Sequence, residues 1–155
     1  MLEELRKRLN EKRTVVLGIG NPLRGDDGVG SQLALRLQGK VNALVVDAGE
    51  VPENYLGPIV ASRPEAVVIV DAAELGAAPG TIAIIEADAL DGASLSTHNA
   101  SLSLFVKVLC AEIQPDVFLL GVQPASSAFG AAMSQPVERA LGILEELLRN
   151  SLPAP

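Results

Sequence analysis

Carboxylates recur directly after the apolar runs of this chain, and its one histidine sits in a polar loop. Asp26 and Asp27 lie in Gly18-Ile-Gly-Asn-Pro-Leu-Arg-Gly-Asp-Asp-Gly-Val-Gly30 (GIGNPLRGDDGVG), behind the apolar stretch 14–19. Asp47 closes ALVVD, with Glu50 nearby; Asp71 closes AVVIVD, with Glu74 close behind; Gln123 follows DVFLLG. His98 belongs to STHNAS, where Thr97, Asn99 and Ser101 are all suited to cap the apolar helical segment that follows. A helix N-terminus disfavours imidazolium and so favours the neutral ring that a metal ligand must be. Two carboxylates and one imidazole suit Ni, Zn, Mn or Fe with coordination positions left open. Plainer roles fit the same residues. Asp27 suits a helix cap, a lone histidine suits a capping or surface position, and a buried Asp71 can be structural.

Other chemistries are excluded by spacing. The glycine-rich stretch looks like a phosphate loop, but its centre carries two acids and Arg24 is its only cation. Position 23 is Leu, so the dinucleotide fingerprint G-x-G-x-x-G is not met. Gly-Lys-Ser/Thr, HExxH and G-x-S-x-G do not occur. Any Ser–His or Cys–His arrangement has to use His98, and no nucleophile is obviously poised for it. Cys110 shares an apolar helix face with Val106 and Ile113 and reads as core.

The elements that must position these groups alternate along the chain. Strands are expected at 14–19, 43–47, 66–71, 81–85 and 116–121, and helices at 28–37, 53–61, 101–113 and 135–148 after a short leading helix within 1–12. The closing helix carries Val137, Leu141, Leu144 and Leu148 on one stripe and Glu138, Arg139, Glu145 and Glu146 on the other. Alternation of this kind implies an α/β fold, a mostly parallel five-stranded sheet between helical layers. The loop before 81–85 is too short for a parallel crossover, which makes that strand an antiparallel edge. Ligands of open α/β sheets bind beyond the carboxyl ends of the strands, where strand order reverses. With the order 2-1-3, the acidic loops after the first and third strands face one crevice.

The 155 residues fit one domain, 1–155, with 151–155 read as a flexible tail. Hydrophobic residues are 48% and aromatics only 3%, so the core must be built from Val, Leu, Ile and Ala. A net charge of -7 argues against nucleic-acid or anionic-membrane binding. A single cysteine cannot form an internal disulfide and points to a reducing, cytoplasmic setting. No apolar run approaches the roughly 18–20 residues of a membrane span.

Taken together, GIGNPLRGDDGVG, VVDAGEVPEN (45–54), VIVDAAELGAAPG (68–80), STHNASL (96–102) and LLGVQP (119–124) resemble the maturation endopeptidases of nickel–iron hydrogenases, over about residues 14–148. The match is nearest the hydrogenase-3-type branch. The resemblance implies a twisted, mainly parallel five-stranded sheet flanked by helices. It implies removal of a C-terminal extension from the hydrogenase large-subunit precursor after nickel insertion. Asp27, Asp71 and His98 would be the metal-contacting and catalytic positions, with nickel supplied by the precursor, although another divalent metal can occupy such a site. Asp26 becomes a structural or capping neighbour, and Asp47–Glu50 a supporting or substrate-contacting stretch. A monomer is implied, and residues 1–12 extend beyond the family's usual start. Two other readings stand beside this one. The same residues could serve a non-catalytic, nickel-dependent chaperone of the large subunit. A nucleotide-binding Rossmann-like domain is disfavoured by the Asp26–Asp27 pair.

Overall fold

A computed structural model describes residues 1–90 and 99–155. The element order is α1 (Leu2–Leu9), β1 (Thr14–Ile19), α2 (Val29–Leu37), β2 (Leu44–Gly49), α3 (Leu56–Ala61), β3 (Ala66–Ala72), β4 (Ile82–Glu86), α4 (Asn99–Glu112), β5 (Asp116–Val122) and α5 (Gln135–Ser151). The five strands lie in the order β2-β1-β3-β5-β4. All neighbours are parallel except β4, which runs antiparallel to β5 at the sheet edge, as the short 73–81 connection requires. Strand order reverses between β1 and β3.

The central strands β1 and β3 are buried at every position, which is why they read as unbroken apolar runs. Side chains of β3 alternate between two cores. Val68 and Val70 join Leu33, Leu37, Phe118, Leu141, Leu144 and Leu148 under α1, α2 and α5. Val67 and Ile69 join Leu17, Ile59, Leu102, Phe105 and Leu109 under α3 and α4. The result is a helix–sheet–helix sandwich.

Three stretches differ from the sequence expectation. The helix expected over 53–61 begins as a 3-10 turn, Pro52–Tyr55, and becomes α-helical only from Leu56. Gly28 belongs to a 3-10 turn, Gly25–Gly28, ahead of α2. The stretch 151–155 is not loose from its start. Ser151 completes α5, Leu152 is buried in the core, and the Asn42 amide donates to the Pro153 carbonyl at 2.8 Å.

Helix α1 is integral to the domain. Leu5 and Leu9 are fully buried in the core shared with α5. Arg8 lies over the Phe118 ring, 4.0 Å from its centroid. Its guanidinium donates to both oxygens of Asp116 (2.8 and 2.6 Å) and both oxygens of Glu86 (2.7 and 2.8 Å). One side chain thus ties the N-terminal helix to β5 and the edge strand β4. This contact raises the already high Arg8 pKa and holds the Glu86 carboxyl below the usual range, chiefly through the hydrogen bonds.

Candidate active site

Bare glycines let β1, β3 and the start of α2 approach more closely than any side chain allows. A Cβ on Gly30 would fall 2.7 Å from the Ile19 nitrogen, and closer still to the carbonyl oxygens of Ile19 and Val70. Gly20 has φ +141°, and a Cβ there would overlap the Asp27 carbonyl. The first turn of α2 therefore rests directly on the backbones of both central strands. The 3-10 turn that precedes it contacts β3. Asp27 lies in that turn, and Asp71 follows Val70 at the end of β3. The tertiary structure thus brings both acids to the carboxyl end of the sheet, at the switch point. Asp27 is 2% exposed and Asp71 0%.

The adjacent Asp26 and Asp27 divide their work. Asp26 is fully buried and its carboxylate grips the segment after β5. Oδ2 accepts from the Ala125 amide (2.8 Å), the Ser126 amide (3.2 Å) and the Ser134 hydroxyl (2.8 Å), while Oδ1 accepts from the Ser134 amide (2.7 Å). Its own amide donates to the Ser126 carbonyl at 3.0 Å. Asp26 is a structural clamp between two loops. The Oδ2 atom of Asp27 accepts from the Asn21 amide at 3.0 Å, a contact within its own loop that holds the carboxylate in place.

The other polar residues at this end support the loops. Asp47 Oδ1 accepts from the Ser31 hydroxyl (2.8 Å) and the Gly49 amide (3.2 Å), tying the end of β2 to α2. Glu50 is exposed just beyond it. Gln123 is buried, accepts from the Leu75 amide at 2.6 Å and donates to Glu74 at 3.1 Å, so it fastens the loop after β3 to the end of β5. Cys110 is partly buried against the α3–α4 core, and burial pushes its thiol pKa up, which argues against a thiolate nucleophile.

His98 lies outside the described residues. Among the described residues, no group of three or more His, Cys, Asp or Glu side chains is placed to hold a metal ion. Asp27 and Asp71 supply hard anionic oxygens only. This donor set fits an incomplete metal site, one that needs further ligands from outside the described residues or from a bound partner. The family resemblance gave Asp26 a structural or capping role, but sequence reasoning did not find what it holds. Its partners lie about a hundred residues away in a Ser/Ala-rich stretch with no local signal.

Two buried acids, Asp27 and Asp71, thus stand at the switch point of an open α/β sheet, the place where such folds bind ligands and where a nucleotide-binding fold would place phosphate. Comparison with known proteins gives the family. Residues 28–150 match the hydrogenase maturation protease family, HycI. The chain is 38% identical over 130 residues to the hydrogenase 3 maturation protease of Escherichia coli K12, covering 82% of this chain and 83% of that protein. The crystal structure of the maturation protease HycI from Thermococcus kodakarensis superposes with a TM-score of 0.87 at 34% identity, covering 96% and 98% of the two chains. The solution structure of the endopeptidase HycI from Escherichia coli gives a TM-score of 0.79 at 31% identity, covering 92% and 96%. The chain belongs to the hydrogenase maturation proteases, on the hydrogenase-3-type branch. It is a peptidase of hydrogenase maturation, with the fold expected from its sequence.

Proposed function

We propose that this endopeptidase removes a C-terminal extension from the large-subunit precursor of a nickel–iron hydrogenase, and acts once nickel is in place. Asp27, Asp71 and His98 would contact nickel carried by the precursor and so recognise a loaded substrate. The observation that carries this reading is the placement of two almost wholly buried acids, Asp71 near the end of β3 and Asp27 in the 3-10 turn that packs against β3. Nickel on the precursor supplies the positive centre that makes two such carboxylates favourable neighbours. Peptide hydrolysis further needs an activated water and stabilisation of the developing oxyanion. A carboxylate oxygen of Asp27 or Asp71 not spent on the metal can take the proton of that water. Among the described residues no helix is long and apolar enough to cross a membrane, and the reading places the protein in the cytoplasm as a monomer.

The test is incubation of purified protein with nickel-loaded and nickel-free precursor, followed by mass spectrometry. Loss of the extension from loaded precursor alone is the expected result. Equal cleavage of both forms removes nickel recognition, and binding without cleavage favours a chaperone. Asp27→Asn, Asp71→Asn and His98→Ala should each abolish processing; normal processing by all three overturns the site.

A further inference from the structure

The loop after β1 and the loop after β5 each present one large apolar side chain to solvent, and the two are joined. Leu23 is 63% exposed and Phe129 72%. The other two phenylalanines, Phe105 and Phe118, are buried, so an exposed one is not explained by a shortage of core. The Gly130 amide donates to the Leu23 carbonyl at 2.7 Å, which joins the backbone next to Phe129 to that of Leu23. The Asp26 carboxylate then fixes the 125–134 segment against the loop that carries Leu23 and Asp27. Single exposed apolar residues need no explanation, but here two stand on loops that a backbone hydrogen bond and a buried carboxylate join, and Leu23 is four residues from Asp27.

We propose that Leu23 and Phe129 form the docking surface for an apolar stretch of the precursor chain beside its cleavage site. This rests on the processing role proposed above. A polypeptide substrate that reaches Asp27 must pass over the rim of the Asp27 loop, so the patch is continuous with the surface that the substrate has to cover. Aromatic and aliphatic residues of this size are the side chains that dominate binding when desolvated by a partner. Asp26 acts as a positioning residue: it joins the loop that carries Leu23 to the segment that carries Phe129.

The experiment compares wild type, the double variant Leu23→Ser/Phe129→Ser, and Ile143→Ser, an exposed apolar residue on α5, against nickel-loaded precursor. The double variant should raise KM about tenfold or more while kcat stays within about twofold, with unchanged Tm. Ile143→Ser should match wild type. An unchanged KM in the double variant, or an equal rise in Ile143→Ser, overturns the proposal. Light scattering is run alongside, and a wild-type dimer that becomes a monomer in the double variant assigns the patch to self-association and overturns it too. If wild type binds the precursor without cleaving it, the processing role falls. The same tenfold loss, then read as Kd by interferometry, still supports the docking surface. If wild type neither binds nor cleaves, both fall.

Discussion

Replacing Asp26 with asparagine separates the two adjacent acids by their physics. The carboxylate accepts four hydrogen bonds, three from backbone amides and one from a hydroxyl, in a site with no solvent exposure. An asparagine has only one acceptor end. Its best placement keeps the carbonyl oxygen towards Ala125, Ser126 and the Ser134 hydroxyl, and turns the amide group onto the Ser134 N–H. That N–H then faces a donor, at a cost of about 1–3 kcal/mol. The three retained bonds lose charge assistance, roughly half of their strength. Against this, the buried charge no longer has to be desolvated, which returns part of the loss. The net expectation for Asp26→Asn is a destabilisation of about 2–3 kcal/mol, out of the roughly 5–15 kcal/mol typical of a domain. Urea unfolding should show a lower midpoint with unchanged m. Hydrogen exchange should show the Ala125, Ser126 and Ser134 amides losing protection while core strands retain theirs relative to global stability. Asp27→Asn, by contrast, should leave those three amides protected and lose processing. An Asp26→Asn protein within about 0.5 kcal/mol of wild type, with those amides still protected, would refute the clamp.

Further outcomes follow from other contacts. Gly30→Ala puts a methyl group into the backbones of Ile19 and Val70, so it should cost about 4 kcal/mol or more, or give no folded protein, read by thermal unfolding. Arg8→Ala removes the contacts to Asp116, Glu86 and Phe118; because both acids are substantially exposed, the loss should be only about 1–2 kcal/mol, seen as a lower Tm. The Glu86 carboxyl is held below its unfolded pKa by Arg8. Its stabilisation is therefore complete above the unfolded value of about 4.3 and fades as pH falls through the lower folded value. The Tm gap between wild type and Arg8→Ala should accordingly narrow between pH 5 and pH 3, by an amount kept small by the exposure of Glu86. Cys110→Ser should process precursor at the wild-type rate, because the thiol lies against the core and burial raises its pKa; loss of activity with unchanged Tm would contradict this.

The five strands, their parallel arrangement and the antiparallel edge were legible in the sequence. Strands buried on both faces must be unbroken apolar runs, and a connection as short as 73–81 cannot cross the sheet. The polar groups at the strand ends were legible for the same reason, since each apolar run stops where its carboxyl end meets solvent or a site. The individual roles of Asp26 and Asp27 could not be read locally. Both stand in one glycine-rich turn, and either suits a cap or a ligand. The family resemblance had given Asp26 the structural role; the tertiary structure supplied its partners, bringing Ser126 and Ser134 to it across about a hundred residues of chain, and packed the turn that carries Asp27 against β3 through close approaches that Gly20 and Gly30 permit. Likewise, the charged stretch 1–12 announced an amphipathic helix but not its target. That target exists only once β4 and β5 place Glu86 and Asp116 together, within reach of Arg8. Sequence alone determined the elements and the chemistry available, because those depend on neighbours along the chain. What Asp26 clamps was decided by folding, because it depends on partners brought together from distant segments.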